Sequence, residues 1–483
     1  MLYECGAWPL HLRHTSEITE PKLGRTHDPM PLTQKVSAGP PSFARRLLDL
    51  AARQRERIIQ GISVTDHRHA FAACALITSI IGIILIYVAS AYLELDSMGQ
   101  MFSYRPDDIP GGLWPEMYPP PLGIHYFGDF LDTLRHSQIE SPFTTPGMSP
   151  TGYPLFSLLV LAPFSLLPYR VALVLYLMIT AFVLLIPVWR SLRKRPFAER
   201  LILLSPIVVC APFLAVLDRG NIQGLVVGFA LFGLLAYLRD NRITAGVLFG
   251  LSAAMKIYPV FLILLLVRQR DWRAVGASVA AGATATIAAF IVYGGQPIDN
   301  LRLLWDSIRL VRSDATEHLL FHNHSFKGGL AALEAWPGGW LGSAASWAIS
   351  QYEATLVLCL IALVLLVTNR AVPLLSAVTY IAIFMSFGTG ISFPYQPLFL
   401  LLIVVVVYTM QEIQSPARFI AMLAVAGMFA PKGIPMGSDA IPLFTWVDPA
   451  LCLITVSCLL FDDLRILATA RRKRSFGIAE RSK

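Results

Sequence analysis

The chain is 483 residues long, 55% hydrophobic and only 14% charged, with a net charge of +8 and a mean hydropathy of +0.59. Soluble domains carry about 25% charged residues, so a soluble enzyme, a disordered chain, a disulfide scaffold, a coiled coil and a DNA-binding module are excluded as readings of the whole. Apolar runs able to cross a bilayer, which takes about 20 residues of helix, lie between clustered charges and make this a polytopic helical membrane protein.

The basic surplus fits the positive bias of cytoplasmic loops, and no nucleic-acid partner is expected. In chain order, residues 1–41 are rich in Pro, Thr and His without periodicity and read as a disordered lead. Residues 42–60 set Phe43, Leu47, Leu50 and Ile58 among five arginines, the pattern of an interfacial amphipathic helix or of a solvated stem. No cleavable signal peptide is expected, because the first 69 residues are polar. The first predicted span is 70–93, and the arginines before it put the N-terminus in the cytoplasm.

Segment 94–168 carries eight acids against two bases and is assigned to the outside. Its apolar end, 154–168, is short and broken by Pro163. Laid along the outer face as a juxtamembrane helix, it sends the loops at 190–200, 239–242 and 268–273 inside, where they carry ten bases and three acids. Eleven more spans are then predicted near 169–189, 200–217, 221–238, 243–256, 257–267, 274–293, 350–369, 371–388, 397–411, 416–431 and 443–462. The expected organisation is an all-α bundle of about 12 transmembrane helices. A cytoplasmic tail (1–69) precedes the transmembrane domain (70–462), and a basic cytoplasmic tail (463–483) follows it. Spans 243–256 and 257–267 are too short to cross unaided and meet at Lys256-Ile-Tyr-Pro259, which predicts a break around a polar pocket.

The polar residues that are expensive near a membrane fall on the predicted outer face. Asp129, in HYFGDFLDTLRHS (125–137), is placed either to act as a general base or to cap a surface helix. Asp218-Arg219-Gly220-Asn221-Ile222-Gln223 is a tight turn that closes one span and opens the next. Arginine and a helix N-terminus both suit phosphate, and Asn221 also suits an N-cap. Lys256 sits in an otherwise apolar stretch with Tyr258 and Pro259 beside it; a snorkelling lysine is the structural alternative. Outer loop 294–349 opens with helical spacing at Leu301, Leu304, Ile308 and Val311, then carries His322, Asn323, His324 and Lys327. A zinc pair at His322 and His324 lacks clear third and fourth ligands, so no metal is expected, and contact with a phosphate or sugar is favoured for one histidine. Tyr395 and Gln396, between two prolines, make a further outer break. The six cysteines form no disulfide or metal framework, and no nucleotide-binding signature supports a cofactor.

The order of these motifs resembles a known family. SPFTTPGMSPTGYPLFSLLVLAPFSLLP follows the outer aspartate; then come the turn RGNIQG, the stretch A-G-x-x-x-G-x-x-x-x-x-K-x-x-P (245–259) and NHSFKGGL (323–330). Over about residues 70–410 this is similar to the family-87 glycosyltransferases, also called DUF2029. That resemblance implies a GT-C-type membrane fold and transfer of a hexose, often mannose, from a polyprenyl-phosphate donor to a lipid or glycan acceptor. The transfer would take place outside the plasma membrane, with inversion. By the same resemblance Asp129 is the catalytic base. Arg219, Asn221, Gln223, Lys256, Tyr258, His322, Asn323 and His324 are candidates for donor phosphate or sugar. The long polar N-terminus and the PPPL-containing extension before Asp129 depart from the family pattern. A lipid-linked-sugar flippase would want internal repeats, which are not seen. A ligase of the O-antigen type would rely on the 294–349 loop and would not need the acid after the first span.

Overall fold

The computed structural model describes residues 66–93, 127–138, 142, 152–293, 298–306, 309, 323–335, 339–388, 390–409, 415–436 and 441–481. The chain divides into two units, residues 1–55 and 56–483, and every described residue belongs to the second. The lead 1–41 predicted to be disordered, the amphipathic segment 42–60, residues 94–126 of the acidic segment, Ile308, Val311 and His322 lie outside the described residues.

The described chain is almost wholly helical. Its helices are α1 (His67–Leu93), α2 (Gly128–Ser137), α3 (Leu155–Leu161, continued by a 3-10 turn Ala162–Leu166) and α4 (Tyr169–Ser191). Next come α5 (Phe197–Val208), α6 (Ala211–Arg219), α7 (Gln223–Tyr237), α8 (Arg242–Met255), α9 (Ile263–Arg268, entered through a 3-10 turn Tyr258–Leu262) and α10 (Trp272–Val292). The C-terminal half adds α11 (Phe326–Ala335), α12 (Gly339–Ser350), α13 (Tyr352–Thr368) and α14 (Leu374–Ile383, ending in a π turn Phe384–Gly388). It closes with α15 (Leu401–Thr409, after a 3-10 turn Gln396–Leu400), α16 (Pro416–Met428) and α17 (Phe444–Arg481). A two-residue antiparallel pair, Pro435–Met436 with Ile441–Pro442, joins the last two helices.

Helices α7, α14 and α15 form the centre, and residues 401–408 of α15 are buried on every side. Around them α1, α4, α10 and α13 turn large apolar side chains outward, among them Ile84, Phe182, Ile287 and Leu365, each more than half exposed. Such a belt is what lipid covers in a membrane protein and what water forbids in a soluble one. Close packing inside depends on small residues. A Cβ on Gly246 would stand 2.3 Å from the Ala274 carbonyl oxygen, and one on Gly250 would stand 2.1 Å from that of Ser278. The G-x-x-x-G spacing therefore lets α8 and α10 meet backbone to backbone.

About twelve transmembrane helices are expected from the sequence, and the structure shows an all-α chain with three to five candidate spans. Nearly every predicted span is a helix here, and among the described residues α1, α4 and α10 are long and apolar enough to cross alone. The number rises to five if α5–α6 and α12–α13, each bent by 64°, count as single broken spans. Seven others are apolar helices of 10–17 residues. At 1.5 Å per residue these fall short of a core about 30 Å thick. They are shortened by the same features that make the site: Pro259 and Pro397 each open a 3-10 turn, and Lys256 is extended at φ −145°. The predicted break at 256–259 is thus present. Segment 155–166 is short and helical and packs against α2, α8 and α10. Residues 298–306 are helical, as their spacing implies, and the last helix continues past 462 to Arg481.

Candidate functional site

The site is built on the turn between α6 and α7. Gly220 caps α6 at φ +62°, donating its N–H to Leu217 and Val216, and Asn221 N–H follows to Val216 O at 3.1 Å. Glycine is required there twice: for the left-handed backbone, and because a Cβ would lie 2.6 Å from the Cβ of Phe130. Phe130 is fully buried and stacks on Tyr176 with ring centroids 4.7 Å apart. Phe127 N–H donates to Asp218 O at 3.2 Å. Through these contacts the first turn of α2, which carries Asp129, is docked on the α6–α7 turn.

One carboxylate oxygen then collects two donors. Asp129 Oδ2 accepts from Arg219 Nε at 3.0 Å and from Asn221 Nδ2 at 2.6 Å. Asn221 is fully buried and works in both directions. Its Oδ1 accepts from Gln223 N–H, the first of α7, at 2.8 Å, and from Lys256 Nζ at 3.3 Å. Its Nδ2 also donates to the Tyr153 hydroxyl at 2.9 Å. Asn221 thus links a carboxylate to an ammonium, and the charges fix which end of the amide faces which.

Lys256 does not snorkel. The C-terminal break of α8 is held by Ser157 Oγ donating to Met255 O at 2.5 Å and by Ser252 Oγ donating to Val226 O at 2.7 Å. The ammonium lies 5.2 Å from the ring centroids of both Tyr153 and Tyr395, and the Arg219 guanidinium lies 5.9 Å from the Tyr395 ring. Cation–π contact favours each cation there. Burial pushes both phenols well above the usual tyrosine range, with Asp129 adding to the rise, so both rings stay neutral. Tyr258 stands near Tyr395. Gln223 is 1% exposed and its Nε2 has no hydrogen-bond partner among the described residues. Asp129 and Arg219 are 21% and 17% exposed, so the cluster is shielded but not sealed.

Asn323 and His324 are placed elsewhere. Asn323 Nδ2 donates to Gly390 O at 3.0 Å, while its Oδ1 accepts from Ser325 and Ser392 N–H, an arrangement that clamps the 390–392 chain. His324 stacks on Phe444 at 3.8 Å and its Nδ1 meets Asp448 Oδ2 at 2.7 Å; Lys432 Nζ reaches Asp448 Oδ1 at 3.0 Å. Burial holds the imidazole below the usual histidine range, against the pull of Asp448. The cavity beside this group, lined also by Pro394 and Pro397, has about 20 Å³, room for one water and too little for a sugar.

Asp129, Arg219, Asn221, Gln223 and Lys256 are therefore brought together, with Tyr258 at the edge. Tyr153 was not anticipated, and Tyr395 was noted only as part of a break. The signal that both share is a tyrosine beside a proline, at Tyr153-Pro154 and Pro394-Tyr395. At a separate place, Asp66, His69 and Glu199 set ligand atoms within 4.8 Å of one another. Arg195 already bridges the two carboxylates at 2.9 Å each, supplying the positive charge itself.

In a comparison with known protein families, the model for glycosyltransferase family 87 aligns with residues 151–391. No curated relative and no solved structure matches the chain. The aligned stretch contains Tyr153, the α6–α7 turn, Lys256 and the Asn323-His324-Ser325 clamp. Together with the apolar outer belt, this assigns the chain to glycosyltransferase family 87, as a membrane glycosyltransferase.

Proposed function

We propose that the protein transfers a hexose from a polyprenyl-phosphate donor to a hydroxyl of a lipid or glycan acceptor at the outer face of the plasma membrane, with inversion and with Asp129 as general base. The finer parts of this reading, including mannose as the sugar, a GT-C-type fold and cytoplasmic termini, rest on the family resemblance and on the charge pattern of the loops. The observation that carries it is the linkage Asp129–Asn221–Lys256: a carboxylate and an ammonium held apart by one amide, with a second cation at Arg219.

The chemistry needs little else. Both hydrogen bonds to Asp129 fall on Oδ2, which leaves Oδ1 for the acceptor hydroxyl. As that oxygen attacks the anomeric carbon, its proton passes to Asp129 and the bond from carbon to the phosphate oxygen breaks. The electron pair leaves with the phosphate, whose growing charge Lys256 and Arg219 stabilise. A phosphate leaving group needs no general acid, so one carboxylate suffices. Attack from the face opposite the phosphate inverts the centre. Neutral Tyr153 and Tyr395 supply flat, polar-tipped walls of the kind that suit a sugar ring.

The test is transfer of radiolabelled hexose from a polyprenyl-phosphate donor by purified protein in proteoliposomes. Asp129→Asn should lower turnover by about 10²–10⁴-fold, the usual worth of a general base, with an unchanged melting temperature. Near-normal turnover by that variant would remove Asp129 from the role.

A further inference from the structure

Among the described contacts of Arg219, two engage its charge. Its Nε donates to Asp129 Oδ2, and its guanidinium shares the Tyr395 ring with the Lys256 ammonium. A carboxylate bonded to a guanidinium is a weaker base than the same carboxylate without it, because the neighbouring positive charge favours its ionised form. A phosphate arriving beside Lys256 competes for the arginine fork, with which it can pair bidentately. The pair is also placed to exchange. Arg219 is the last residue of α6, precedes Gly220 and is 17% exposed. The Arg418 pair with Asp462 and Asp463 is different: Asp463 is fully buried and further held by Tyr380 and Ser376.

Resting on the reading of Asp129 as base and of a phosphate-linked lipid as donor, we infer that Arg219 changes partner during the reaction. It holds Asp129 until the donor phosphate takes the guanidinium, so that the base is released only after the donor is seated. Asn221 keeps its bond to Oδ2 throughout and preserves the orientation of the carboxylate. The donor therefore binds before productive attack, and an acceptor arriving alone finds Oδ1 open on a carboxylate that Arg219 still holds weakly basic.

The exchange is tested by a double-mutant cycle on binding of polyprenyl phosphate to the full-length protein in nanodiscs, at fixed pH and salt. The four proteins are wild type, Asp129→Asn, Arg219→Gln and the double variant. Asp129→Asn, which removes the anionic partner of Arg219, should bind the lipid phosphate about 5-fold more tightly than wild type, and this gain should vanish in the Arg219→Gln background, as coupled neighbours require. An equal gain in both backgrounds would reduce the effect to simple repulsion by Asp129 and overturn the exchange, as would no gain at all. Should Arg219→Gln fail to fold, Arg219→Lys completes the same cycle, with a reduced gain expected. Saturable wild-type binding with an additive cycle sinks the exchange alone. Wild-type protein with no saturable binding sinks both the exchange and the donor reading.

Discussion

Two clusters of opposite charges flank the 390–397 segment, and they are built to different ends. In one, His324, Lys432 and Asp448 are each at most 9% exposed at the side chain and close on one another around a carboxylate. Lys432 is further tied to the carbonyls of Gly427, Met428 and Ala430 at the end of α16. In the other, Asp129 offers one oxygen to two donors, keeps about a fifth of its surface open and has two cations within reach. Buried charges that close on one another stabilise an arrangement. Charges that are held in place but left partly unspent can do chemistry.

The comparison can be broken most severely from the closed side. Asp448→Asn should destabilise the protein by about 3–5 kcal/mol, since removing one partner strands buried positive charge, while protein that still folds keeps its affinity for polyprenyl phosphate. Thermal unfolding in detergent and lipid binding measure the two halves of that statement. Loss of binding at unchanged stability would merge the two clusters into one function.

Lys256→Gln reverses the pattern. Folding should survive, while turnover falls by about 10²–10³-fold, the typical cost of losing one stabilising contact to a developing anion. The measurement is turnover at saturating donor. Gly220→Ala lies between the two, because it forces a left-handed non-glycine residue and a clash with Phe130. A loss of about 1–3 kcal/mol is expected, and since the turn carries Arg219 and Asn221, transfer should fall along with the melting temperature.

The smallest effect concerns pH. His324 is held below its ordinary range by burial, so the folded state resists a proton that the unfolded chain accepts near pH 6.5. Stability from this group is present above that value and declines as pH falls through it. Melting temperatures between pH 7.5 and 5 should show this slope in the wild type and less of it in His324→Gln.

Much of the open site was legible in the sequence. Asp129, Arg219, Asn221 and Lys256 are polar residues beside apolar runs, where their cost marks them. What the sequence could not convey was pairing across distance. His324 and Asp448 are 124 residues apart, and nothing local links them. Arg268 reads as an inner-loop charge, yet its guanidinium donates to the carbonyls of Val367 at 3.0 Å, Asn369 at 2.6 Å and Arg370 at 3.2 Å, closing the end of α13. Tyr153 and Tyr395 resemble ordinary interfacial aromatics until Lys256 is found between them. Hydropathy also counts apolar residues without their direction, so the 64° bends of α5–α6 and α12–α13 were invisible.

The most direct test is a structure of the wild-type protein with polyprenyl phosphate bound. Phosphate density is expected within hydrogen-bond distance of Lys256 Nζ, with Arg219 turned toward it and Asp129 still bonded to Asn221. Phosphate seated against His324 and Lys432, with the Asp129 cluster untouched, would contradict it.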